Sequence, residues 1–161
     1  MLKELKPALE KILTSQESLH DRLHSLCQFL SDQIEHYNWV GFYFRNGTKE
    51  ELKLYTYVGE HTDHTIIPFG RGICGQVAVS NQNFVVPDVQ AQDNYLACSL
   101  TVKSEIVIPL FVNGKNIGQI DIDSHHIDPF TKADEELLEW VTAEVAKHLN
   151  ADFYQDTGIK A

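Results

Sequence analysis

Leu19, Leu23, Leu26, Leu30 and Ile34 recur at steps of three and four, so residues 15 to 37 read as one long amphipathic helix with a single apolar stripe. A shorter helix, from about Pro7 to Leu13, precedes it. At Trp39 the period shortens to two: WVGFYF and ELKLYTYV are strand runs joined around Asn46-Gly47, a hairpin signal. IIPFGRGICGQVAVSNQ carries three glycines, which permit a tight loop, and its ICGQVAVS portion reads as a short helix. FVVPD is a brief strand, and Val89 to Ser99 is polar loop or irregular helix. SEIVIPLFV and KNIGQIDIDS then form two strands around Asn113-Gly114, the clearest hairpin in the chain. Thr131 and Asp134 suit the cap of a closing helix whose buried face is Leu137, Leu138, Val141, Val145 and Leu149. The order predicts an α+β fold: a central antiparallel sheet of about six strands flanked by amino- and carboxy-terminal helices.

A length of 161 residues suits one domain, with helices over 1–37, the sheet and closing helix over 38–150, and a tail over 151–161. The net charge of −10, from 13 basic and 23 acidic residues, argues against nucleic acid or an anionic membrane as partner. A small solute or a protein is expected instead. No apolar run approaches the roughly 20 residues that span a bilayer, and the amino end mixes acids with its apolar residues. We therefore read a cytoplasmic protein. Its three cysteines, Cys27, Cys74 and Cys98, form neither an even framework nor a CxxC pair, which marks each as a thiol.

The cysteines differ in setting. Cys27 lies on the apolar stripe of the long helix and reads as core packing. Cys74 sits at a glycine-rich turn into a short helix, and Cys98 in a loop leading to the strand that holds Glu105; loops carry chemistry more often than packing. Trp39 and Tyr43 share a strand face with Gly41. Asp121 and Asp123 likewise share a face, where their desolvation is costly unless a ligand, cation or hydrogen bond offsets it. The other reading of the two acids is a solvated edge strand. A pocket with an aromatic wall, several carboxylates and two thiols suits a small zwitterion bearing sulfur or another soft group. His61, His64, Asp121, Asp123, His125 and His126 match no zinc-ligand spacing, so they read as solvated loop residues and no metal is expected.

NWVGFY, PFGRGICG, VVPDV, ACSLTVKSEIVIPL, IGQIDIDS and PFTKADEELLE together resemble the GAF domains, and among them the free methionine-(R)-sulfoxide reductases. The glycine turns and paired strands imply only the fold, whereas the cysteines and acids are more specific. The resemblance implies that Cys98 is the catalytic thiol, that Cys74 resolves it, and that Trp39, Tyr43, Glu105, Asp121 and Asp123 line the substrate pocket. It further implies free methionine sulfoxide as substrate, a sulfenic acid and then a disulfide, a thioredoxin-like reductant, no metal or organic cofactor, and a homodimer. Two positions depart from that pattern. His64 stands where members with three active-region cysteines carry another resolving thiol, and ACSLTV replaces ACD followed by small residues. The alternative is a stand-alone GAF module of sensory type that binds a small ligand without catalysis.

Overall fold

Two strands buried on both faces hold the centre of the molecule. In the computed structural model, which describes residues 1–96 and 101–153, β1 (Trp39–Arg45) pairs antiparallel with β6 (Lys115–Ser124). Outward from β1 lie β2 (Glu51–Val58) and β3 (Ile66–Pro68); outward from β6 lie β5 (Ser104–Val112) and β4 (Phe84–Val86). The six-stranded order is β3-β2-β1-β6-β5-β4, with every pairing antiparallel. β3 is the strand hidden in IIPFGRG, where the glycines read as loop. Its three residues pair with Glu51, Leu52 and Lys53 at an edge too short to leave a period-two pattern.

Alternation along the central strands divides the core in two. Val40, Phe42 and Phe44 of β1, Ile120 and Ile122 of β6, and Ile106, Ile108 and Leu110 of β5 pack toward α1 (Leu2–Leu13), α2 (Leu19–Gln33) and α4 (Lys132–Ala146). The opposite face carries Trp39, Tyr43, Val86 and Val107 toward α3 (Gly72–Ser80). Each large side chain so buried contributes about 1.5–3 kcal/mol. The helical face anchors the fold, which leaves the α3 face able to carry polar groups.

The helices differ from expectation at their ends. α1 begins at Leu2 instead of Pro7, because Leu2 and Leu5 pack on the helical core and Leu9 and Leu13 are buried; this burial offsets the backbone hydrogen bond that Pro7 cannot donate. α2 is shorter than the span 15 to 37: the Ser18 hydroxyl caps it by accepting from Asp21 N at 3.1 Å, and Ile34 ends it in extended conformation. Leu149 lies beyond the end of α4. Asn113 and Gly114 both adopt positive φ, 52° and 79°, as the two-residue hairpin between Val112 and Lys115 requires. Among the described residues no helix is long and apolar enough to cross a membrane.

Asp134 joins the closing helix to the exit of α2. Its side chain accepts from Thr131 N at 2.7 Å within a reciprocal capping box, from Tyr37 Oη at 2.8 Å, and meets His36 Nε2 at 3.0 Å. Replacing it therefore removes a cap and also strands a buried phenol. Asp134→Ala is expected to lower stability by about 2–3 kcal/mol, and Thr131→Ala by about 1 kcal/mol. Urea titrations with unchanged slope would measure both. Equal losses would mean that the tyrosine contact contributes nothing.

Candidate active site: a buried thiol between two carboxylates

The strand register sets the candidate residues in rungs. Trp39 of β1 pairs with Asp123 of β6, which pairs in turn with Glu105 of β5; one rung along, Gly41 pairs with Asp121, and Asp121 with Val107. Tyr43 and Gln119 form the next rung. All lie on the face toward α3, because side chains two apart on a strand point the same way. Asp121 and Asp123 are each 1% exposed on a central strand, so the solvated edge-strand reading fails. Gly41 makes the aromatic wall fit: a Cβ there would meet the Trp39 ring at 2.5 Å. The indole lies over that gap, stacked on Tyr57 at a centroid distance of 5.3 Å and on Tyr43 at 6.4 Å. Trp39 Nε1 donates to Glu60 O at 3.1 Å and Tyr43 Oη to His64 O at 2.8 Å, fixing both rings.

α3 delivers the thiol. Gly70 and Gly72, at φ of 87° and 62°, turn the chain sharply into the helix, and Gly75 lets it lie close to Pro68 O. Gln119 Nε2 donates to Cys74 O at 3.1 Å, tying the helix down to β6. Cys74 Sγ donates to Glu105 Oε2 at 3.8 Å, and one ligating atom each of Cys74, Glu105 and Asp121 lie within 4.8 Å of one another. Two full charges at that separation would repel by about 3–4 kcal/mol at an effective dielectric of 20. The site therefore favours retaining protons. Burial first, then the charges of Asp121 and Glu105, push the Cys74 thiol well above its usual range. Burial likewise raises Asp121, opposed by hydrogen bonds with Glu105 and Cys74. Asp121 Oδ1 and Gln119 Oε1 are buried without a hydrogen-bond partner. Such a lining suits a solute that brings N–H or O–H donors.

Two small cavities occupy this face. One, of about 10 Å³, is bordered by Tyr43, His64, Cys74, Leu96, Glu105 and Asp121; the other, also about 10 Å³, by Trp39, Glu60, His61, Val102, Asp123 and His125. Each holds about one water, far less than the roughly 300 Å³ of a typical ligand site. Leu96 closes the first, with its side chain 3.0 Å from where a Cβ on Gly72 would stand. Asn94 fastens that segment: its Oδ1 accepts from Gly72 N at 3.0 Å and its Nδ2 donates to Gly70 O at 2.7 Å. Room for a solute larger than a water on the Leu96 side of the first cavity would require that side chain to move.

The structure brings Tyr43, Cys74, Glu105 and Asp121 around one cavity and sets Trp39 and Asp123 at its neighbour. Cys98 lies outside the described residues. Cys27 is fully buried in the helical core, as its place on the apolar stripe predicts, and burial raises its thiol pKa. The histidines are not gathered with both aspartates: His64 borders the Cys74 cavity with Asp121, while His125 and His61, the latter also paired with Asp63 at 3.0 Å, border the Asp123 cavity. Gln119, Asn94 and Leu96 escaped the sequence reading. Gln119 left a signal, since QIDID places three polar side chains on one strand face.

A family model described as "GAF domain" matches residues 16–150. The chain is similar to a Dictyostelium discoideum "GAF domain-containing protein A", 37% identical over 83% of each chain. It is also similar to a Saccharomyces cerevisiae protein named "Free methionine-R-sulfoxide reductase", 34% identical over 88% of this chain and 83% of that one. Among solved structures, a free methionine-R-sulfoxide reductase from Neisseria meningitidis in complex with its substrate superposes with a TM-score of 0.85, at 34% identity, over 91% of this chain and 86% of that one.

The raised Asp121 carboxyl makes a signed prediction. Below the ordinary aspartate range both folded and unfolded chains hold its proton, and it leaves stability unchanged. Above that range the unfolded chain ionises first, so folding is penalised increasingly until the raised folded pKa is passed. Asp121→Asn should therefore raise Tm by about 2–4 °C at neutral pH, about 1 kcal/mol, and by much less near pH 4. Calorimetry across that range checks it. A gain independent of pH would show that ionisation is not its source.

Proposed function

We propose that this chain, which belongs to the GAF domain family, is an oxidoreductase that converts free methionine-(R)-sulfoxide to methionine. The observation that carries the reading is the gathering of Cys74, Glu105 and Asp121 on the sheet face that also bears Trp39, Tyr43 and Asp123. The names of the yeast and Neisseria relatives support the same activity.

The proposed cycle uses two thiols. Cys98 attacks the sulfoxide sulfur, the oxygen passes to the Cys98 sulfur as its bond to the methionine sulfur breaks, and methionine leaves with Cys98 as a sulfenic acid. The sulfoxide oxygen must gain a proton as that bond breaks. Asp121 suits the donor role, because burial favours its neutral form. Cys74 then attacks the sulfenic acid, releasing water and forming a Cys74–Cys98 disulfide; Glu105 Oε2, which already accepts from Cys74 Sγ, can take the thiol proton. A thioredoxin-like dithiol returns the enzyme to its reduced form. Asp123 and Glu105 suit the substrate ammonium, and Trp39 and Tyr43 its S-methyl group. The same acceptor-rich lining supports the binding step alone, as a non-catalytic module would use it.

Variants separate the steps. Cys98→Ser is expected to abolish turnover of free methionine-(R)-sulfoxide, while Cys74→Ser should release about one methionine per chain and then stall with thioredoxin as sole reductant. Mass spectrometry after a single turnover should find a Cys74–Cys98 disulfide in the parent protein. Full activity in Cys98→Ser would end the enzyme reading, and a disulfide through Cys27 would end the resolution scheme. Binding of the sulfoxide without turnover would favour the ligand-binding module. Asp123→Asn and Glu105→Gln should each lower kcat/KM at least tenfold with the fold retained, since each removes a charge complementary to the substrate.

A further inference from the structure

Cys74, Glu105 and Asp121 also have the composition and spacing of a cation site. In a tetrahedral zinc centre a thiolate sulfur about 2.3 Å from the ion and a carboxylate oxygen about 2.1 Å from it stand about 3.6 Å apart. Cys74 Sγ and Glu105 Oε2 are already 3.8 Å apart, and all three ligating atoms lie within 4.8 Å of one another. Side-chain adjustments of about an ångström would close the set. A second observation points the same way: Asp121 is 1% exposed, yet its Oδ1 has no hydrogen-bond partner. The cavity these residues border has a volume of about 10 Å³, room for a single ion or water.

We propose that the reduced protein binds one zinc ion per chain through Cys74, Glu105 and Asp121, with the fourth position open to water. The donor set selects the metal. Magnesium and calcium prefer oxygen donors throughout, and copper(I) favours several sulfurs, whereas zinc accepts one thiolate together with carboxylates. Binding displaces the thiol proton and any proton held by the carboxyls to solvent, and the ion neutralises the charge that the buried acids otherwise hold apart. No change of oxidation state is involved. On the reductase reading the ion would occupy the resolving thiol and two pocket acids, so zinc would inhibit turnover reversibly and keep Cys74 from forming a disulfide. That consequence rests on the proposed activity; metal binding itself does not.

Cobalt(II) is the probe, because a thiolate ligand gives it a sulfur-to-metal charge-transfer band that oxygen and nitrogen ligands do not. Titrating the phosphine-reduced protein with cobalt should raise this band to saturation at one equivalent, and one equivalent of zinc should remove it. Cys74→Ser should lose the band, Asp121→Asn should weaken cobalt binding at least tenfold, and Cys27→Ser and Cys98→Ser should retain the band. X-ray absorption at the zinc edge of the unmutated protein should show one sulfur with oxygen or nitrogen neighbours, which makes the test independent of whether any variant folds. Absence of the band, its survival in Cys74→Ser, its loss in Cys98→Ser, or a shell with no sulfur or more than one would each overturn the assignment. A protein that binds cobalt as described yet never turns over sulfoxide would retain the metal site and lose only the reductase reading.

Discussion

Asp121 is a carboxyl on the central strand of a sheet, and the surrounding structure has to accommodate it. Neither edge is near, since β1 and β5 flank its strand, and α3 covers its face. Burial raises its pKa, hydrogen bonds with Glu105 and Cys74 oppose that rise, and a small cavity lies beside it. The protein also concentrates its apolar packing on the other face, where α1, α2 and α4 bury leucines, isoleucines and phenylalanines and the buried Asp134 is held by Thr131 N and Tyr37 Oη. Stability built on one side permits a costly arrangement on the other. This is the usual relation between a scaffold and a site whose groups are tuned for chemistry at some expense of folding free energy.

Most of the scaffold was legible because its signals are periodic. The Leu23–Leu30 stripe, the alternation in WVGFYF and the Asn113-Gly114 turn each follow from geometry that local sequence alone dictates. What local sequence hid depends on distant partners. Pro7 suggested a helix start, but leucines on either side of it find the core and carry the helix through. β3 exists because β2 offers it an edge, and three residues are too few to announce a strand.

The candidate site was legible in a different way. QIDID and WVGFY fix which side chains share a face, so the aromatic and acidic residues could be assigned to one surface from period alone. Whether the two acids faced solvent or interior could not, since that depends on strand order, and the order places them at the centre. The approach of Cys74 to Glu105 is less legible still. It arises from glycines that turn α3 back across the sheet and from the Gln119 amide that holds the helix to β6, neither of which is a spacing between the two residues concerned. Asn94 and Leu96 likewise act through contacts with the glycine turn, and their own segment carries no pattern that marks them.

On the proposed reading, the same buried acids account for a preference for the free amino acid. A methionine sulfoxide within a peptide has amide bonds where the free compound has an ammonium and a carboxylate, so it brings no cation to the Glu105–Asp123 rung. The complementary charge that the free compound brings would then be missing, which is the circumstance in which a polar site rejects an analogue most strongly. Geometry acts in the same direction. The two cavities, one bordered by Leu96 and the other by Val102, each measure only about 10 Å³, so a continuing chain has far less room in them than a single amino acid needs. Discrimination of this kind needs no contact dedicated to excluding peptides: charge that must be neutralised and a pocket that must close are sufficient.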